Sequence, residues 1–160
     1  MAIDMFIKID GIEGESLDDS HANEIQLESM SWGASNTGSF AEGTGGGAGK
    51  VSFTDLSCAK KLDKASPILY LSCSTGKHIP KAVLTLRKAG GKQEDYFRVT
   101  MSDVLVSSVQ DSGHAQGDVP LESFTLNFAK IEFAYKPQKA DGTLDAAITS
   151  GYDLKKSINV

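Results

Sequence analysis

No stretch of this 160-residue chain approaches the roughly 18 to 20 apolar residues that a membrane-spanning helix needs, and the longest uncharged stretch, Ser29 to Ala41, is polar. Direct membrane insertion is therefore not expected. The run from Met1 to Ile9 lacks a basic leader and carries Asp4 among its apolar residues, so it does not read as a cleaved signal peptide. Cysteine is scarce as well. Cys58 and Cys73 form no Cys-x-x-Cys pair and have no histidine at metal-ligand spacing, which excludes a disulfide framework and gives no zinc site. Both lie among small or apolar neighbours and read as buried, reduced thiols suited to a reducing compartment. Positive charge is also in deficit: 16 Lys+Arg stand against 21 Asp+Glu, a formal net charge of -5. A protein that tracks phosphates needs clustered cations, so no nucleic-acid partner is expected.

Hydrophobic residues make up 40% of the chain, enough for a globular core, and there is neither an internal repeat nor a linker. One domain over residues 1–160 is the expectation. The charge is uneven. Residues 1–30 hold eight acids and one lysine, while the remainder carries a small positive excess. Such an acidic end reads either as a solvated loop or as one half of an electrostatic contact between copies of the chain.

Alternation by two dominates the pattern, so the fold is mainly β. Ile3, Met5, Ile7 and Ile9 share one face of a first strand, and Glu24 to Trp32 forms a second in which the phase slips between Leu27 and Met30. A slip of this kind implies a bulge or a strand that changes partners. Further strands are expected at Val51–Leu56, Ala82–Lys88, Tyr96–Val109 and Leu121–Tyr135, with a hairpin turn at Gly90-Gly91 and a short closing strand near Gly151–Leu154. In the long strand ending at Tyr135 the apolar parity passes from Phe124, Leu126 and Phe128 to Ile131, Phe133 and Tyr135. This face switch suggests a closed barrel or orthogonally packed sheets. One short helix, about residues 67–75, is marked by Ser66 as cap, Pro67 at the first helical position, an apolar face of Ile68, Leu69 and Leu71, and Gly76 at its end.

Residues 33–49 hold seven glycines, with Phe40 as the one large apolar side chain, and cannot form a core element. The tail Gly45-Gly-Gly-Ala-Gly49-Lys50 resembles a phosphate-binding loop only superficially. Thr44 stands where the first glycine would be, Val51 where the hydroxyl would be, and a strand pattern follows instead of a helix. No nucleotide or other cofactor is expected. The histidines, His21, His78 and His114, lie in or beside loops. His21 follows Asp18-Asp19 and His114 follows Asp111, but no nucleophile elbow accompanies them, and both read as polar turns. Lys77 and His78 suit the negative end of the helix dipole. Asp18-Asp19-Ser20 lacks calcium-loop spacing. No catalytic or metal residue is assigned, which leaves surface shape and exposed backbone as the functional material.

End to end, the chain resembles the hemolysin-coregulated protein (Hcp) family, the tube subunit of the bacterial type VI secretion system. The likeness is carried by Met5-Phe-Ile-Lys-Ile9, Gly14-Glu-Ser16, His21-Ala22, Glu24-Ile25, Ser31-Trp-Gly33, Gly45-Gly-Gly-Ala-Gly-Lys-Val51, Asp63-Lys64 and Ser74-Thr-Gly-Lys-His78. It continues through Leu86-Arg-Lys-Ala-Gly90, Val104-Leu-Val-Ser-Ser-Val109, Leu126-Asn-Phe-Ala129 and Tyr135-Lys-Pro-Gln-Lys-Ala-Asp-Gly142. Gly151-Tyr-Asp-Leu154 departs from it, since family members often carry Trp there. The resemblance implies a closed β-barrel of two packed antiparallel sheets with one short helix and a long glycine-rich extended loop. It implies a homo-hexameric ring, rings stacked head to tail into a hollow tube, sheath proteins and a VgrG-type spike protein as partners, and small effector proteins carried in the lumen. Assembly would occur in the bacterial cytoplasm and be followed by secretion. On this likeness Gly43, Gly45, Gly46, Gly47, Gly49 and Lys50 belong to the ring or tube interface and Ser31 faces the lumen. The alternatives are a small secreted effector or enzyme, and a phage-like tail-tube subunit.

Overall fold

The computed structural model describes residues 2–41, 46–88 and 92–160. Among these residues eleven strands and one helix follow in order: β1 (Ile3–Ile9), β2 (Ile25–Leu27), β3 (Ser29–Ser31), β4 (Ala34–Gly38), β5 (Ala48–Phe53), β6 (Leu56–Lys61), α1 (Ser66–Thr75), β7 (Ile79–Lys88), β8 (Asp95–Ser112), β9 (Leu121–Tyr135), β10 (Ile148–Asp153) and β11 (Ile158–Asn159). The mainly β class with one short helix is as expected. The pairing is entirely antiparallel, and among the described residues nine strands join one sheet in the order β11-β10-β9-β8-β7-β1-β2, with β6 off this path between β3 and β9. Among the described residues the other sheet is the outlying hairpin β4–β5.

The phase slip after Leu27 is a change of partner. β2 pairs with β1, Met5 facing Leu27, whereas β3 pairs with β6, Met30 facing Cys58; Glu28 is the hinge and donates its N–H to Ala59 O (2.8 Å). The face switch in β9 has the same cause. Its first half, Leu121 to Leu126, pairs with β6 and its second, Lys130 to Tyr135, pairs with β10. Buried parity passes accordingly from Phe124, Leu126 and Phe128 to Ile131. β8 switches with it, from Val99 and Met101 to Val104 and Val106, at Asp103, whose φ of 53° is left-handed. The two long strands therefore bend together, and each half turns a different face to the core.

That core unites Ile7, Ile9, Ile25, Leu84, Met101, Val106, Phe124 and Leu126, all nearly or fully shielded from water. Two sequence expectations need correcting here. On β1, Ile3 is exposed and Phe6, on the opposite parity, is buried, because the loop after β1 folds back over that face and lays His21 on the Phe6 ring (centroids 4.5 Å, 8° apart). On α1, Ile68 and Leu71 are largely exposed; the buried stripe is Ala65, Leu69 and Ser72, spaced by four and three residues as one helical face requires. Ser66 makes no capping bond, its hydroxyl being used elsewhere, while Gly76 closes the helix in the left-handed conformation (φ 62°) as expected. The Gly90-Gly91 turn lies outside the described residues, but β7 and β8, which it would join, pair as a hairpin should.

Candidate functional site

The glycine-rich segment is a protruding β-hairpin. β4 and β5 pair Ala34 with Phe53, Ser35 with Ser52 and Asn36 with Val51, and after an irregularity Gly38 with Ala48. Every residue of β4 is exposed. At the base, Gly33 N–H donates to Thr54 Oγ1 (2.8 Å) and Phe53 meets Phe128 edge to face at 5.9 Å, which ties the hairpin to the core. Near the tip, Gly47 N–H donates to Ser39 Oγ (3.2 Å) and Asn36 Nδ2 donates to Gly49 O (2.8 Å).

The expected interface residues separate into three kinds. Gly43 and Gly45 lie outside the described residues. Gly46 and Gly49 are glycines for a reason internal to the hairpin: a Cβ on Gly46 would sit 2.8 Å from Phe40 Cα, and one on Gly49 would sit 2.4 Å from Thr37 O. Gly47 faces open space, with nothing within 4 Å of a Cβ, and Lys50 is exposed. Ser31 ends β3 opposite Ser57 with its side chain exposed.

Three charged clusters escaped the sequence reading. Lys60, fully buried at the end of β6, places Nζ 2.6 Å from Glu122 Oε1 and donates to Asp63 Oδ1 (2.7 Å) and Ser66 Oγ (3.0 Å). Neither Glu122 oxygen accepts a well-aligned hydrogen bond, and burial together with the neighbouring Asp111 raises its pKa against the pull of Lys60. Arg87, also buried, donates to Asp18 Oδ1 (2.9 Å) and Oδ2 (2.7 Å) and to Asp4 Oδ2 (3.0 Å); this guanidinium holds Asp18 at about 2. His21 Nδ1 lies 2.9 Å from Glu24 Oε2 and Nε2 lies 3.0 Å from Asp95 Oδ1. Ionised carboxylates only accept, so this setting favours the ring with both nitrogens protonated. Burial opposes that charge, but Asp95 and Glu24 together raise the pKa. His21 thus sits in the polar turn expected of it, but its side chain is a buried clasp.

The remaining histidines have simpler settings. His78 Nε2 sits 2.7 Å from Asp103 Oδ1, a specific partner beyond the helix dipole, and His114 carries an exposed turn closed by Gly117 N–H on its carbonyl (2.9 Å). Both cysteines are free, and burial pushes the Cys58 thiol well up. Among the described residues no three His, Cys, Asp or Glu side chains gather as a metal site.

A bent antiparallel sheet with a projecting hairpin, and with His21 and His78 committed to carboxylates, defines a protein of surfaces. Comparison with known proteins gives that class its place. Residues 6–135 match the family model described as "Type VI secretion system effector, Hcp". Protein hcp1 of Pseudomonas aeruginosa is 49% identical over 160 residues, covering 99% of both chains. Among solved structures, one described as a type six secretion system protein superposes with a TM-score of 0.94 at 30% identity, over 99% of this chain and 100% of the other. Hcp1 from Salmonella typhimurium gives 0.80 at 37% identity over 100% of both chains. The chain belongs to the Hcp family of type VI secretion proteins.

Proposed function

We propose that this protein is the tube subunit of a type VI secretion system: six copies close a ring, rings stack head to tail into a hollow tube, and a contracting sheath drives the tube behind a VgrG-type spike protein. Family membership carries this reading, through a match over residues 6–135 and 49% identity along the whole chain. Small effector proteins would travel in the lumen, with Ser31 on its wall. The protein would be made in the cytoplasm and released with the tube outside the cell or in its target; no helix among the described residues is long and apolar enough to cross a membrane.

In this reading the bent sheet is the wall of a barrel. Support comes from β6, which pairs with β9 on one side and β3 on the other, while β3 continues through Glu28 into β2, the partner of β1. The hairpin then reaches the adjoining subunit or ring, using Gly47 and Lys50 as contact residues and Gly46 and Gly49 as the backbone that shapes it. A ring needs a heterologous interface, one surface meeting a different surface, and stacking needs a second. Light scattering on the purified protein tests the reading: a mass near six times the 17.0 kDa of the chain, with rings in negative-stain images, is expected. A strict monomer over a wide concentration range would remove it.

A further inference from the structure

A row of charge runs across three strands beneath α1. Lys60 of β6 pairs with Glu122 of β9, and Glu122 with Asp111 of β8, as direct cross-strand partners, so the three side chains stand on one face of the sheet. Lys60 and Glu122 are shut off from water there, whereas Asp111 is exposed beside a surface recess that Gln110 and Ser112 also line. The groups that α1 and the turn before it bring to the row are Asp63, Ser66 and Tyr70, with Cys73 one turn further along the helix.

The protons of this row do not suffice with every carboxyl ionised. Lys60 Nζ has three to donate, and three oxygens line up to take them: Asp63 Oδ1 (2.7 Å), Ser66 Oγ (3.0 Å) and Lys61 O (3.4 Å). Glu122 Oε1 lies 2.6 Å from the same nitrogen, yet neither Glu122 oxygen has a hydrogen-bond donor. Its cross-strand neighbour Asp111 is one more acceptor, and a single ammonium stands against the carboxyls of Asp63, Asp111 and Glu122. Two like charges side by side, one of them in a dry site, favour taking up a proton. Burial first and Asp111 second accordingly raise the Glu122 pKa over the opposing pull of Lys60 and Ser66, and the same Asp111 raises that of Tyr70.

We propose that Glu122 and Asp111 share one proton in the folded protein, and that this proton is a latch seating α1 on the sheet, held in acid and released as pH rises. Water at the Asp111 end supplies and takes up the proton, while Lys60 stays bound to Asp63 and Ser66 at the start of the helix. The latch lies within the single chain and needs no second copy. Carbon-13 NMR of protein labelled at the glutamate carboxyl carbons reads Glu122 directly, its signal assigned by its loss in Glu122→Gln. The midpoint should lie above the ordinary glutamate value of about 4.3 and drop in Asp111→Asn, which keeps the shape of the exposed partner and removes its charge. Amide exchange in residues 66–75, corrected for the intrinsic rate, should show α1 lifting more often as pH rises. The rise is up to about tenfold per pH unit between the ordinary value and the folded midpoint, because the lifted state releases the proton at the ordinary value. Glu122→Gln, whose amide donates to Asp111 at every pH, should hold α1 without that slope. A wild-type Glu122 midpoint at or below the ordinary value, a midpoint that Asp111→Asn leaves unmoved, or an exchange slope that persists in Glu122→Gln overturns the latch.

Discussion

Lys60 and Glu122 face each other across neighbouring strands, Nζ 2.6 Å from Oε1, with neither side chain exposed to solvent. Both occupy inward parities: Lys60 follows Leu56 and Cys58 on β6, and Glu122 precedes Phe124 and Leu126 on β9. An ion pair in such a place is expensive to desolvate and is held by its surroundings, here Asp63 and Ser66 at the start of α1. The pair therefore joins two strands and the helix at one end of the core.

Removing one partner leaves the other charge buried alone, so Lys60→Met is expected to lose about 3–5 kcal/mol of unfolding free energy in urea. The loss should deepen with rising pH. Without the lysine, the Glu122 carboxyl must stay protonated in the folded state while ionising freely in the unfolded one, so the unfolded chain gains as pH rises past the ordinary carboxylate range. The double variant Lys60→Met/Glu122→Leu should recover most of the loss. A single variant as stable as wild type near neutral pH would show that the pair does not hold α1 to the sheet.

His21 gives a slope of the same sign, again from a raised pKa. Its imidazolium is favoured in the folded state by Asp95 and Glu24, so the associated stability is complete below the unfolded value of about 6.5 and is lost as pH rises through the higher folded value. The melting temperature should therefore fall from mildly acidic toward alkaline pH, with amide exchange in residues 13–24 rising in step. His21→Gln should flatten that part of the profile. Parallel profiles for the two proteins would remove the clasp.

These clusters also mark where sequence reading stopped. Of the bulge or partner change that the slip at Leu27–Met30 implied, the structure has the second, and the parity change at Phe128–Ile131, from which a closed barrel or orthogonal sheets was expected, coincides with a change of partner from β6 to β10. Alternation placed the long strands, including the full extent of β9, because burial leaves a trace in residue order. Pairing between distant charges leaves none: Arg87 meets Asp18 and Asp4 from the far end of β7, and Asp95 meets His21 from β8. Lys60 and Glu122 were more accessible, since each is a charge on an apolar parity and two such misfits imply each other. Helix α1 misled for a different reason. Its largest apolar side chains face outward, and small ones, Ala65 and Ser72, make the packed contact beside Leu69.

Asp18 governs the acid limb. Arg87 holds it at about 2, below the ordinary Asp value of about 3.9, so its contribution is complete above the latter and is lost as pH falls toward the former. Asp18→Asn should therefore be less stable than wild type at pH 5–7 and nearly equal to it near pH 2, as read by urea midpoints. A constant difference across that span would mean that the ion pair with Arg87 contributes nothing through ionisation.

The hairpin separates shape from contact within a few residues. Gly49→Val would drive a side chain into the Thr37 carbonyl and break the β4–β5 register, so its effect on assembly would report a lost hairpin. Gly46 is compromised in the same way by the Phe40 backbone, and a bulky residue there cannot be expected to leave the hairpin intact. Gly47→Asp is the clean substitution, because a Cβ there meets nothing within 4 Å. It should leave global stability within about 0.5 kcal/mol of wild type, the range typical of surface changes. If the hairpin touches a neighbour, the added charge should nevertheless reduce stacking of rings into tubes in electron micrographs. Tubes as long and as abundant as those of the wild type would mean that the tip touches nothing in the assembly.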